Sequence, residues 1–424
     1  MQDRYRLIAS AEFQGDGTRD EMDASGFAME VVNDSRSSEI VAAIPGDTPT
    51  APHPPAQSKN GVIVHEWLEM HGGAEKVMSE IMDLFPTADA LALWNDAPGR
   101  FSEDRVKETW IARTPFRKSK SLALPLMPTA WRHLGDRDPE WVLCVSHLFA
   151  HHARFSGAGK GAPKYAYVYT PARYIWNPEF DRRGKSLAVR GASALLRPLD
   201  RQRAQEATSI VGISEFVSKR IEDAWHRESE VIYPPVEVDS FAQSHFGSLS
   251  PDELAILDRL PSAFVMGASR FIPYKRLDLA IALGVSADVH VVIAGDGPLR
   301  SELKALADKH PGQVTFVRSP SLGLLREIYV RALAYVFPPV EDFGIMPVEA
   351  MATGTPVITS SIGGASETVV HGRTGIHLDS WDPRAMKEAL EACVTFDPAT
   401  VASRAWAFDR AVFHRKMLEW VGKR

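Results

Sequence analysis

Residues 336–368 read VFPPVEDFGIMPVEAMATGTPVITSSIGGASET, and the order of apolar and polar residues in this stretch decides the fold. A short apolar run at 335–337 predicts a buried strand, the prolines and acids after it an irregular loop holding Glu341, and the next apolar stretch a helix carrying Glu349. A second strand follows at 356–359, then a glycine turn at Gly363 and Gly364. A strand, a loop rich in free amides and a short helix make an anion cradle at the carboxyl edge of a parallel sheet. Pro347 falls in the first helical turn, where its missing N–H costs nothing, and leaves the amides of Phe343, Gly344 and Ile345 to a ligand. Glu341 and Glu349, with seven residues between them, flank the cradle. Because like charges repel, carboxylates beside a phosphate site make sense only toward uncharged parts of the same ligand. The hydroxyls of a hexose and of a ribose are such parts, so the pair suits a nucleotide sugar, one glutamate for each ring.

The rest of the composition sets the frame. At 424 residues, 45% hydrophobic and 24% charged, the chain is long enough for two domains and ordinary for a soluble globular protein. A net charge of -6 and a pI near 6.2 argue against nucleic acid as a main partner. Cys144 and Cys393 lie far apart, and Cys144 falls in an apolar run, which fits a reduced, cytoplasmic setting better than a disulfide framework; they cannot make a metal cluster. No segment reaches the ~18 apolar residues of a bilayer span, and the amino terminus lacks a basic start followed by an apolar run, so any membrane contact is expected to be peripheral. Residues 1–60 are polar, without sustained periodicity, and end in a proline-rich stretch; they are expected to form a disordered tail.

Beyond that tail strands and helices alternate. A strand at 61–65 leads through a loop to a helix at 74–84, with Gly72 and Gly73 at its start, where backbone amides can approach a phosphate closely; a plain strand-to-helix turn would read alike. It is not the dinucleotide fingerprint, because Lys76 stands where the third glycine belongs. Between 113 and 132, Arg113, Arg117, Lys118, Lys120 and Arg132 are set among Leu122, Leu124, Leu126 and Trp131. That interleaving suits the headgroup layer of an anionic membrane, and equally a solvated loop with its leucines turned inward, since Pro125 and Pro128 break any long amphipathic helix. Asp136-Arg137-Asp138 has the acid-x-acid spacing of a metal site but precedes a strand, so it reads as a surface turn, and no metal is expected. A strand at 141–145 ends in Ser146-His147, with His151 and His152 shortly after; a histidine just past the carboxyl end of a parallel strand points into the ligand crevice, and at least one of the three is expected to be a helix-cap or surface residue. A strand at 165–169 ends at Tyr169, followed by Thr170-Pro171-Ala172-Arg173-Tyr174. Arg173 suits an acceptor phosphate or an ion pair with Glu179 or Asp181. A helix at 196–208, a strand at 209–213, the N-cap Ser214 and a helix at 215–224 complete the first half, with an interdomain linker at 236–261.

The second half opens with a strand at 264–268 that leads into Arg270 and Lys275. Two cations with four residues between them can clamp a diphosphate and stabilise the charge that grows on it as a sugar leaves. A strand at 289–294 ends in Gly295-Asp296-Gly297-Pro298, a turn that leaves room for a flat base, though a simple tight turn looks the same. Helices at 299–309, 322–334 and 382–396 and a strand at 314–317 continue the alternation, and Trp406, Phe408, Phe413, Met417 and Trp420 mark a terminal helix at 411–421. The pattern gives an α/β chain of two doubly wound halves.

Five motifs in order, His65-Glu66-Trp67, Gly72-Gly73-Ala74-Glu75-Lys76, Ser269 to Arg276, Ala294 to Pro298 and Glu341-x7-Glu349, together resemble the retaining family 4 glycosyltransferases of the GT-B fold. The resemblance covers nearly everything after about residue 60. It implies a Rossmann-like acceptor domain at 61–240 and a nucleotide-sugar donor domain at 241–400, facing across a cleft, with 401–424 returning as a helix to the first. Catalytic roles are implied for Glu341, His147, Arg270 and Lys275, and donor contacts for these last two, Glu341, Gly72, Gly73, Gly295, Asp296, Phe343, Gly344, Ile345 and Glu349. Tyr169 and Arg173 fall on the acceptor side, where the family commonly has histidine at the position of Tyr169; that departure touches the acceptor chemistry and not the donor site. No cofactor or metal is implied, and the leaving phosphate is expected to accept the acceptor's proton on the front face. The runs look most like bacterial mannosyltransferases of O-antigen and exopolysaccharide assembly. The expected reaction is therefore transfer of mannose from GDP-mannose to a saccharide or polyprenyl-diphosphate-linked saccharide, in the cytoplasm at the inner face of the plasma membrane. A non-catalytic nucleotide-sugar-binding subunit and an NAD-type oxidoreductase share the architecture. The glutamate pair argues against both, and the latter also lacks its fingerprint glycines.

Overall fold

The computed structural model describes residues 60–70, 72–176, 187–245 and 247–422, so the expected tail lies outside the described residues except for Asn60. Two all-parallel sheets carry the fold. In the first, strands β1 (Gly61–His65), β2 (Asp89–Ala92), β3 (Val106–Glu108), β4 (Trp141–Ser146), β5 (Lys164–Val168), β6 (Ser209–Gly212) and β7 (Glu230–Val231) run in the order β3-β2-β1-β4-β5-β6-β7. In the second, β8 (Phe264–Ala268), β9 (His290–Gly295), β10 (Val314–Arg318), β11 (Tyr335–Phe337), β12 (Val357–Ser360) and β13 (Gly375–Leu378) run in the order β10-β9-β8-β11-β12-β13. Each sheet steps outward from a central strand and then reverses, so each has a topological switch point, β1/β4 and β8/β11, where the strand ends open a crevice. Strands β1, β4, β8 and β11 are buried along their whole length, as a parallel sheet covered by helices on both faces requires. Strands β2, β3, β7 and β13 are additions to those the sequence marks out.

One apolar cluster, including Val145, Tyr167, Phe343, Val348, Phe408 and Phe413, runs from one half into the other. The terminal helix Arg410–Gly422 lies on the first half: Trp420 Nε1 donates to Ser209 Oγ at 2.8 Å, His414 Nε2 stands 2.6 Å from Glu80 Oε2, and the Phe413 ring meets Tyr167 at 5.9 Å. Its buried Phe413, Met417 and Trp420 explain why it must return to a surface it can bury.

Two expectations need correction. The linker at 236–261 is not a bare connection, because it folds into helices Val238–Gln243 and Pro251–Arg259, whose Phe241 and Leu257 are buried in the shared core. The helix expected at 196–208 runs instead from Leu187 to Ala204, through Pro198. The basic stretch at 113–132 is a chain of short helical turns and divides between its two readings. Met127, Ala130 and Trp131 enter the core, and Arg117, Lys120 and Arg132 pair with Asp96, Glu69 and Glu206. Phe116 and Leu122 stay outside at 41% and 65% exposure, near exposed Arg113 and Lys118. Among the described residues no helix is long and apolar enough to cross a membrane.

Candidate active site

Between the two switch points lies a cleft of about 450 Å³. The first half supplies Gly73, Lys76, Tyr169 and Arg173 to its lining, and the second supplies Arg270, Lys275, Glu341, Gly344, Ile345 and Glu349. The loop after β11 is held from behind by the glycine turn after β12: Gly364 N donates to Glu341 O at 2.7 Å. A Cβ on Gly364 would lie 2.2 Å from Asp342 O, so the loop can come this near only to glycine. Fixed in this way, the Glu341 carboxylate forms an ion pair with Lys275, whose ammonium also lies 5.3 Å from the centre of the Tyr274 ring and 5.8 Å from that of Phe337. Arg270 leaves the end of β8 exposed, and its guanidinium has no ion-pair partner among the described residues.

Two helices begin at this cleft. Ile345–Ala352 starts after Gly344, whose φ of 143° suits glycine, and Gly73–Leu84 starts after Gly72; neither has a side-chain cap. A Cβ on Gly73 would stand 3.7 Å from Ile345 Cδ1, so the two uncapped starts face each other with amides free for an anion. The Phe343 ring is buried and stacks on Tyr233 at 5.7 Å, so that residue has its backbone to offer a ligand. Glu349 is 6% exposed, and burial pushes its carboxyl up to about 7, against the opposing pull of the Lys76 charge. Lys76 is not among the residues the sequence marks out for the site. The available signal was its place one helical turn after Gly73, which sets it on the same face.

On the first-half wall of the cleft, the Tyr169 hydroxyl donates to Ala74 O at 3.1 Å and braces the glycine-led helix, while burial pushes the phenol well above its usual range. Arg173 lines the cleft. It pairs with Asp342 of the other half, which also holds Arg220 Nη1 at 2.7 Å; Glu179 and Asp181 lie outside the described residues. Gly295 and Asp296 do not line the cleft. The Asp296 carboxylate is engaged by Arg318 Nε at 2.6 Å and by Gly297 N at 2.9 Å. The turn's Gly295 packs on the end of β8, where a Cβ would meet Ser269 O at 2.0 Å.

His147 stands at the end of β4 behind Tyr169, ring centres 6.3 Å apart, with its edge toward Trp67 at 4.9 Å. Its Nδ1 is 3.2 Å from Glu66 Oε2. His151 and His152 are core residues instead: each Nε2 lies near Asp200 Oδ1, at 3.0 and 2.9 Å, and burial pushes His152 down to about 4. Asp200 Oδ2 accepts from the indoles of Trp176 and Trp225, both at 2.7 Å, so both oxygens of this carboxylate are engaged, while His152 Nδ1 is buried without a hydrogen-bond partner among the described residues.

Residues 258–398 match the family described as Glycosyl transferases group 1. The D-inositol 3-phosphate glycosyltransferase of Mycolicibacterium gilvum is 30% identical over 49% of this chain and 49% of its own. The GDP-mannose-dependent alpha-(1-6)-phosphatidylinositol monomannoside mannosyltransferase of Mycolicibacterium smegmatis is 28% identical over 49% of this chain and 60% of its own. The chain thus spans about half the length of the curated relatives it matches. Among solved structures, Anabaena HepE in complex with UDP-glucose superposes with a TM-score of 0.60 at 18% identity, over 86% of this chain and 100% of that one. The chain therefore has the GT-B fold, and residues 258–398 carry its likeness to the group 1 glycosyltransferases.

Proposed function

We propose that this protein is a glycosyltransferase of the group 1 type and, more finely, a retaining, metal-independent member of family 4. Its reaction in this reading is transfer of mannose from GDP-mannose to a saccharide or polyprenyl-diphosphate-linked saccharide in cell-surface polysaccharide assembly. One observation carries it: two uncapped helix starts and the cations Lys76, Arg270 and Lys275 line one ligand-sized cleft, with Glu341 and Glu349 set among them. The cations and amides suit a diphosphate, and the carboxyls suit hydroxyls on either side of it. Glu341 exchanges Lys275 for the sugar's hydroxyls when the diphosphate draws the ammonium, and Glu349 holds the ribose. As the sugar's bond to phosphate breaks, charge grows on the terminal phosphate, and fixed cations stabilise that state more than the ground state. The same phosphate then takes the proton of the incoming hydroxyl on the front face, which retains the anomeric configuration. The GDP-mannose-dependent relative supports the donor, and exposed Phe116 and Leu122 near Arg113 and Lys118 support peripheral contact with an anionic membrane.

The test is thermal shift and donor hydrolysis over a panel of nucleotide sugars, with and without EDTA, on the wild type, Glu341→Ala and Lys275→Ala. GDP-mannose is expected to raise the melting temperature and to be hydrolysed slowly in EDTA, and each substitution to lower that rate by about a hundredfold. Preference for UDP-glucose would correct the donor. Binding without turnover, even with lipid-linked acceptors, would favour a non-catalytic nucleotide-sugar-binding subunit, and no binding at all would overturn the assignment of the cleft.

A further inference from the structure

Glu66 follows β1 and is fully buried at the first switch point, facing the loop after β4. Its Oε1 is crowded: it accepts from Ser146 Oγ and His147 N at 3.2 Å, from Leu148 N at 2.8 Å and from Ala150 N at 2.9 Å. Its Oε2 is buried and makes no hydrogen bond of good geometry, and 3.2 Å away lies His147 Nδ1, also buried and otherwise unpartnered. His65 is the other imidazole nearby, with Nδ1 at 3.8 Å, but that nitrogen is 2.8 Å from Val145 O. A carbonyl can only accept, so the His65 proton sits on Nδ1 and is turned away from Glu66. What remains for Oε2 is the Nδ1 of His147. A proton there pairs two buried polar atoms at once, and a lone pair there leaves both unpaired. Burial alone would raise the Glu66 carboxyl, but the imidazoles of His147 and His65 and the amides of Ala150 and Leu148 outweigh it and hold it below its usual range.

We propose that Glu66 is a positioning residue that fixes the tautomer of His147, so that His147 presents a bare Nε2 to a sugar hydroxyl at the acceptor-side mouth of the cleft. The His147 side chain keeps 26% exposure while its Nδ1 is buried, so the open part of the ring is the edge away from Glu66. That ring neighbours Tyr169, which lines the cleft. With Nδ1 protonated, Nε2 holds the lone pair and accepts, and a sugar hydroxyl donates to it. The arrangement has the logic of a carboxylate that holds a histidine in its working tautomer, built from residues 81 positions apart in the chain. The sugar as ligand rests on the transferase reading; the tautomer does not.

Glu66→Gln tests it sharply, because the environment decides which way the amide turns. The four donors around Oε1 demand the carbonyl oxygen there, which leaves the amide NH₂ against His147 Nδ1. A donor facing Nδ1 forces its lone pair inward and moves the proton to Nε2. Nitrogen-15 NMR of the full chain labelled at histidine, with His147→Asn to assign the signal, reads this without substrate. The wild type is expected to show Nδ1 protonated and Nε2 bare, and Glu66→Gln the reverse. With the donor found as above, kcat/KM of Glu66→Gln should fall about tenfold or more at unchanged melting temperature. A bare Nδ1 in the wild type would overturn the proposal, including in the event that Glu66→Gln fails to fold. A reversed tautomer with unchanged kcat/KM would overturn the hydroxyl contact. The expected tautomers in a protein that hydrolyses no nucleotide sugar would sink the transferase reading and leave the pairing of Glu66 with His147 standing.

Discussion

Glu349 lies on the cleft wall at 6% exposure, and the desolvation that raises its carboxyl to about 7 has a consequence for the whole chain's stability. An unfolded glutamate titrates near 4.5, so between 4.5 and about 7 the folded protein keeps a proton that the unfolded chain has released. Stability from this residue is therefore complete below pH 4.5, falls as the pH rises through that window, and stays low above about 7. Glu349→Gln keeps the neutral shape and removes the loss, so above pH 7 the variant should be more stable than the wild type by up to about 3 kcal/mol. Urea unfolding of both proteins at pH 5 and pH 8 isolates the effect in the difference between their pH slopes. Equal slopes would show that the buried carboxyl is already relieved by Lys76. The spacing of Glu341 and Glu349 is legible because both lie in one continuous stretch. Lys76 shares a helix face with Gly73, but its place opposite Glu349 is not legible, since that depends on how two helices from the two halves meet.

Helices and strands differ in how far they announce themselves. Strands β1, β4 and β8 are legible because a parallel sheet buried on both faces selects a continuous apolar run. Strands β2, β3 and β13 have the sequences DALA, VKE and GIHL, and they exist as strands because a neighbour's edge pairs with them. The Pro251–Arg259 helix is a signal passed over: Ser250-Pro251-Asp252-Glu253 has a capping residue, a proline at the first helical position and a glutamate three residues after the cap. In the folded chain Glu253 N donates to Ser250 Oγ at 3.3 Å, and Ser250 N donates to Glu253 Oε2 at 2.9 Å. Ser250→Ala should therefore cost about 1 kcal/mol of stability, seen as a lower urea midpoint. Donor hydrolysis should stay unchanged, because the cap lines no part of the cleft. A loss of hydrolysis at full stability would mean that this helix acts on the cleft through the domain junction.

The two halves are joined through contacts that no local pattern encodes. Asp342 receives Arg173 and Arg220, which are 169 and 122 positions away, and Ser214 Oγ donates to its backbone oxygen at 2.5 Å. Close by, the Glu367 carboxylate caps the first-half helix Glu215–Trp225 by accepting from the amides of Glu215 and Phe216 at 2.8 and 2.7 Å. Asp342 follows Glu341 directly, so the residue that latches the halves is bonded to the one that meets Lys275 in the cleft. The contact between the halves and the geometry of the cleft are thereby linked through one loop, and weakening the latch should be felt at both ends. Asp342→Asn removes the charge that the two arginines share and keeps the backbone bond to Ser214. The free protein should then show a larger radius of gyration by small-angle scattering, and its donor affinity should weaken by about tenfold. Arg220→Ala should move both readouts in the same direction, and adding it to Asp342→Asn should change little further, because that substitution already removes the pair of Arg220 with Asp342. Additive losses, or weakened binding at an unchanged radius, would place the effect of Asp342 in the shape of the Glu341 loop and not in the closure of the cleft.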